Sequence, residues 1–254
     1  MKETEVKIPL SSSKLFIYGT LRGDYEHPLI ILCHGYGGWM HEMLLYNAAR
    51  YFEREGFAAL RLSMYGGGDK SRNISESDVL THASDIDDVV SFIKDKGTKW
   101  IGVAGHSYSG MSIVYSTQQM FNAAALWDPT HTDGYDEPQN KKNLADDFVF
   151  VKDLNSYVSG LGSGYVYAKT VFDNDYPKSQ EMAKKFKVTT CMLNADWSKE
   201  QQRYGKDYAD SIDARTEQVI ITDSSHPFTE DGAAEKLYAA TAEYFKSLLP
   251  DNSR

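Results

Sequence analysis

The ten residues "GVAGHSYSGM", 102–111, set a serine, Ser107, between two small residues, Gly105 two places before it and Ser109 two places after it. An apolar run, "KWIGVAGHS", leads into this stretch, and a helix-compatible segment, "YSGMSIVYSTQQM", leads out of it. A serine in such a strand-to-helix turn is held in a strained backbone conformation, and the crowding of strand against helix excludes large side chains beside it. The hydroxyl then projects into a cleft. The first N–H groups of the helix, beginning at Tyr108, face any negative charge that develops there.

A serine hydroxyl is a weak nucleophile until a base takes its proton, so this chemistry demands a histidine held by an acid. Of seven histidines, His226 stands out, because "DSSHPFTE" follows the last apolar run, "EQVIIT", and so falls at the same carboxyl edge as Ser107. The acid should come from a strand end on that edge. Asp196, after "VTTCMLNA", is preferred for fixing the imidazole tautomer and stabilising the imidazolium. Asp128, after "NAAALW", is its rival, and Asp223 is near His226 in sequence but belongs to the turn. Backbone donors for an oxyanion are expected from "LCHGYGGW", where the N–H of Tyr36 would pair with that of Tyr108.

These residues need a scaffold that brings distant strand ends together. "TEVKIPL" and "KLFIYGTL" alternate as edge or hairpin strands do. "PLIILCHG", "FAALRLSM", "KWIGVAGHS", "NAAALWDP", "VTTCMLNA" and "EQVIIT" are solidly apolar, as strands covered on both faces are. Helical patterns lie between them. In "SESDVLTHASDIDDVVSFIKDKG", Val79, Ala83, Ile86, Val89, Val90 and Ile93 recur at helical spacing, Ser75 and Asp78 offer a capping box, and Gly97 a stop. Alternating strands and helices predict an α/β fold, a mostly parallel sheet flanked by helices. The interval from Pro129 to Lys187 breaks the alternation. It is rich in Asp, Lys, Asn, Gly and aromatic residues, carries "DDFVFVKDL" and "GYVYAKTVF", and reads as a small cap over the sheet edge. The expected division is a core of 1–128 and 188–254 with a cap of 129–187.

Composition narrows the partners. With 254 residues, 41% hydrophobic and 25% charged, the chain matches a globular protein with a sizeable core, and no apolar run reaches the length of a bilayer span. A formal charge of −9 argues against nucleic acid, since phosphate binding relies on clustered Lys and Arg. The start, "MKETEVKIPL", lacks the apolar run of a secretory signal, and a cytoplasmic location is expected. Both cysteines, Cys33 and Cys191, sit inside apolar runs and read as core residues. No His and carboxylate cluster has metal-ligand spacing, so neither a metal nor a cofactor is expected.

The order "HGYGG", "RLSMYGGGDKS", "GHSYSG", an aspartate after a strand and a late histidine resembles the α/β-hydrolase superfamily, in the branch of small serine esterases, monoacylglycerol lipases and serine peptidases. The resemblance spans nearly the whole chain. It implies the α/β-hydrolase fold with a cap inserted after the sixth strand, and acyl-enzyme chemistry with Ser107 as nucleophile, Asp196 as acid, His226 as base, and Tyr36 and Tyr108 as the oxyanion hole. One departure is visible: Ser109 stands where the second elbow glycine is usual, with Gly110 one place later. Trp39, Tyr65 and Tyr165 are candidate pocket residues. Similar esterases with compact caps act on short-chain or hydroxycinnamoyl esters, which makes a small carboxylic ester the expected substrate. A thioesterase, a serine peptidase or a non-catalytic binding protein on the same scaffold is the alternative.

Overall fold

The computed structural model describes residues 3–132, 148–159, 166–173 and 176–250. Its centre is an eight-stranded sheet in the order β1-β2-β4-β3-β5-β6-β10-β11. The chain enters through an antiparallel pair, β1 (Glu3–Pro9) and β2 (Phe16–Arg22), and β2 joins β4 antiparallel. From there the strands are parallel: β4 (Ala58–Ser63), β3 (Leu29–Cys33), β5 (Ile101–His106), β6 (Ala123–Trp127), β10 (Thr189–Ala195) and β11 (Thr216–Ile221). Every residue of β3, β4 and β6 is buried, which is why these segments read as continuous apolar runs rather than alternating ones.

Two cores lie on the two faces. On one, Leu29, Ile31, Val103 and Leu126 pack with α2 (Val79–Asp95), α3 (Tyr108–Val114), Ala183 and Phe186 at α5 (Ser179–Lys185), and Tyr208 of α6 (Lys199–Ser211). On the other, Ile30, Leu32, Ala125 and Trp127 pack with α1 (Met43–Arg54) and α7 (Ala233–Ser247). Cys33 and Cys191 fall in opposite cores, unpaired, with burial pushing both thiols up to about 12. Strand β3 pairs with β4 on one side and β5 on the other, so the chain reverses its winding there, at the kind of switch point where open α/β sheets bind ligands beyond the carboxyl ends of their strands.

Two local expectations are corrected. Helix α2 is capped by Asp78 with Thr81, not by Ser75 with Asp78: the Thr81 N–H donates to Asp78 Oδ1 at 2.9 Å and the Asp78 N–H to Thr81 Oγ1 at 2.8 Å. Helix α3 stops at Val114 instead of running on to Met120. The Asp87 carboxylate accepts from the backbone N–H groups of Thr117 and Gln118 at 3.0 and 3.2 Å, which holds that segment out of the helix.

Within the interval after β6, β7 (Phe148–Val151), β8 (Ser156–Ser159) and β9 (Val166–Ala168) form a separate three-stranded antiparallel sheet, and α4 (Lys169–Asp173) follows it. Among the described residues no helix is long and apolar enough to cross a membrane.

Candidate active site

Parallel pairing aligns the strand ends. Cys33 pairs with Gly105 and His106 with Trp127, so His34, Ser107 and Asp128 leave the sheet at one rim. Ser107 has φ 54° and ψ −116°, a conformation that L residues rarely adopt and that must be held from outside. The hold is visible. The Ser107 N–H donates to the Trp127 carbonyl at 2.8 Å, and its own carbonyl accepts from Thr130 at 3.2 Å. Gly105 is required by close approach: a Cβ there would lie 2.7 Å from Ile113 and 2.8 Å from the Ser109 backbone. Ser109 fits because its buried hydroxyl donates to the His34 carbonyl at 2.5 Å, tying the elbow to the loop after β3.

The structure brings His226 to Ser107, with Nε2 3.0 Å from Oγ. On the far side of the ring, Nδ1 lies 2.7 Å from Asp128 Oδ2. A carboxylate oxygen only accepts, so Nδ1 carries the hydrogen and Nε2 presents its lone pair to the serine hydroxyl. Asp128 is itself fully buried, and its other oxygen accepts from Asn194 Nδ2 and from the Ala195 N–H, both at 3.1 Å.

The expectation for Asp196 is therefore corrected. Its oxygens accept from the backbone N–H groups of Ser224 at 2.9 Å and Asp223 at 3.0 Å, and those bonds hold its carboxyl below the usual range. It braces the loop that carries the histidine, from the solvent side. The reason is strand order: β6 neighbours β5, whereas Asp196 emerges beyond it, between β10 and β11. The loop has two further braces. Glu230 binds the N–H and hydroxyl of Ser225, and His106 Nε2 donates to the His226 carbonyl at 2.9 Å. Burial pushes His106 down to about 4, so the ring is neutral beside His226.

The loop after β3 is equally constrained. His34 is fully buried and lowered to about 4 by desolvation. The Met64 N–H donates to its Nε2 at 3.1 Å, which leaves Nδ1–H to donate to the Gly35 carbonyl at 2.8 Å. Gly38 N–H donates to the same carbonyl at 3.0 Å. In a trans peptide the N–H points opposite to the C=O, so the Tyr36 N–H faces the other way. Gly35 itself abuts the serine, since a Cβ on it would meet the Ser107 Cβ at 3.2 Å. Tyr108 is the first residue of α3, and its ring meets that of Tyr36 edge-on at 4.9 Å.

Of the candidate pocket residues, Trp39 is 59% exposed and packs edge-on against His41 at 5.3 Å. Tyr65 instead accepts the Gly37 N–H on its hydroxyl at 2.5 Å and so supports the loop. Tyr165 lies outside the described residues. Sequence reasoning missed Asn194, His106 and the bracing roles of His34 and Ser109. Each does its work through a backbone group or a strand neighbour, and no spacing along the chain marks that.

A central sheet of this order, mostly parallel, with a serine elbow after β5, defines the α/β-hydrolase fold, and this chain has it. Among solved structures it is similar to an alpha/beta hydrolase, GrgF, from Penicillium sp. sh18, at TM-score 0.77 and 14% identity, covering 98% of this chain and 99% of that one. It is also similar to a dienelactone hydrolase from Anabaena variabilis ATCC 29413, at TM-score 0.71 and 14% identity over 98% of this chain and 99% of that one. Est1E from Butyrivibrio proteoclasticus matches at TM-score 0.71 and 16% identity, over 96% and 98%, and has also been solved with ferulic acid bound. At such identities the likeness is one of fold. No protein-family model matches the chain, and no curated protein sequence does.

Proposed function

We propose that this protein is a serine hydrolase that cleaves small carboxylic esters through an acyl intermediate on Ser107. The observation that carries the reading is the continuous path Asp128–His226–Ser107, at 2.7 and 3.0 Å, ending on a hydroxyl in a strained turn. His226 Nε2 would take the Ser107 proton as Oγ attacks the carbonyl carbon, and Asp128 would stabilise the imidazolium that results. The N–H groups of Tyr36 and Tyr108 would receive the oxyanion. Collapse of the tetrahedral intermediate breaks the bond to the alcohol, which leaves with the imidazolium proton. Water, deprotonated by the same ring, then releases the acid.

Support for a short-chain or aryl ester, of the hydroxycinnamoyl kind, comes from the aromatic surroundings of the serine and from the ferulic acid held by Est1E. A fluorophosphonate probe tests the chemistry. Wild type is expected to be labelled and Ser107→Ala not. A folded wild type that takes no label overturns the reading and leaves a binding protein on this scaffold. A panel of p-nitrophenyl acetate, methyl hydroxycinnamates, an acyl thioester and an aminoacyl amide tests the class. Esters are expected to be turned over fastest, and faster cleavage of the thioester or amide would replace the ester assignment.

A further inference from the structure

Tyr36 belongs to two structures at once. Its backbone lies in the loop beside Ser107, and its side chain is the seat of strand β9 from the small sheet. The Ala168 N–H donates to the Tyr36 hydroxyl at 3.0 Å, and the Tyr167 ring lies parallel to the Tyr36 ring at 4.6 Å, with 5° between the planes. That hydroxyl can in turn donate to the carbonyl of Ile74 at 3.2 Å or of Ser77 at 3.3 Å, just before α2. The ring also meets His82 of α2 near-parallel at 6.4 Å and Tyr108 edge-on at 4.9 Å. The side chains of both residues assigned to the oxyanion site thus touch each other, and one of them is clamped by β9.

We propose that Tyr167, with the Ala168 N–H, is a positioning element that holds the Tyr36 N–H in place for the oxyanion by clamping the Tyr36 ring. This rests on the serine-hydrolase reading for its kinetic consequence, but the physical coupling does not. His34, Gly38 and Tyr65 fix the loop by its backbone, at Gly35 and Gly37, so the Tyr36 side chain is the remaining handle on the residue between them. A loosened ring lets the Gly35–Tyr36 peptide rock. A donor displaced by a fraction of an ångström loses much of its effect on a developing charge, whereas the bound ester, lacking that charge, is held as before.

The test compares wild type, Tyr167→Ala, Tyr167→Phe and Tyr36→Phe. Amide hydrogen exchange is expected to accelerate at residues 34–38 in Tyr167→Ala while β3 and β5 stay protected, which also reports that the core has folded. With p-nitrophenyl acetate, kcat is expected to fall about 10- to 100-fold with KM within about twofold. Tyr167→Phe keeps the ring and should restore both readouts. Tyr36→Phe keeps the stack but loses the Ala168 and carbonyl bonds, and should show a smaller change of the same kind; it decides the matter if Tyr167→Ala does not fold. Unchanged exchange at 34–38 overturns the coupling. So does a rise in KM without a fall in kcat, which is the signature of a ring that merely lines the pocket. If wild type takes no fluorophosphonate label, the hydrolase reading fails and the exchange experiment still decides the clamp.

Discussion

Asp128 and Asp196 both end strands at the same rim, yet their oxygens meet different partners. Asp128 is buried against His226, Asn194 and the Ala195 N–H, while Asp196 is spent on the N–H groups of Asp223 and Ser224. Replacing the first by the neutral amide puts a donor or a weaker acceptor against the imidazole and favours the wrong tautomer. Asp128→Asn is therefore expected to lower kcat on the order of 10³- to 10⁴-fold, with the fold retained by circular dichroism. Asp196→Asn still accepts one backbone N–H and should keep most of the activity. Equal losses in the two variants would return the acid's role to the open. The strained Ser107 marks the same site independently, because a φ of 54° at a non-glycine residue costs free energy that the bonds to Trp127 and Thr130 must offset.

Helix α6 shows how an element is shaped by the site it supports. Gly205 lies in its interior, where glycine costs about 0.5–1 kcal/mol relative to alanine. Propensity alone would make Gly205→Ala stabilising. A Cβ there, however, would fall 2.1 Å from Asn194 Oδ1, and Asn194 has little freedom to move, with its Nδ2 shared between Asp128 Oδ1 and the Gln201 carbonyl. Overpacking of this kind costs about 1–3 kcal/mol and outweighs the propensity gain. Gly205→Ala is expected to lower both Tm and kcat, because the displaced amide releases Asp128. A variant that melts higher and turns over normally would show that Asn194 gives way freely. Loop elements behave alike: the histidine loop is braced at Ser224 by Asp196, at Ser225 by Glu230 and at the His226 carbonyl by His106.

For the whole molecule, burial of neutral histidines ties stability to pH. His82 is fully buried among Tyr36, Tyr65 and Tyr108, neither ring nitrogen has a hydrogen-bond partner among the described residues, and desolvation pushes it down from 6.5 to about 3. Its folded pKa is depressed, so below about pH 6.5 the unfolded chain binds a proton that the folded chain refuses, and stability is lost as the pH falls toward 3. His82→Phe removes that proton and two unsatisfied polar atoms. The variant is expected to gain on wild type by up to about 1.4 kcal/mol per pH unit below that point, measured by urea unfolding at pH 7, 6 and 5. Parallel stability curves for the two proteins would contradict the assignment.

The apolar runs, the elbow around Ser107 and the late His226 were legible along the chain because each is a local pattern: continuous burial, crowding at a turn, a polar residue just past a strand. Short-range chemistry of this sort leaves its mark in neighbouring residues. Which aspartate reaches the imidazole left no such mark, since Asp128 and Asp196 both follow apolar strands and differ only in whether that strand lies beside β5. The clamp of Tyr167 on Tyr36, 131 positions apart, and the bond from Asn194 to Asp128, 66 apart, exist only once the sheet is assembled. Hydrogen bonds act over about 3 Å, and only the packed fold sets which groups come that close.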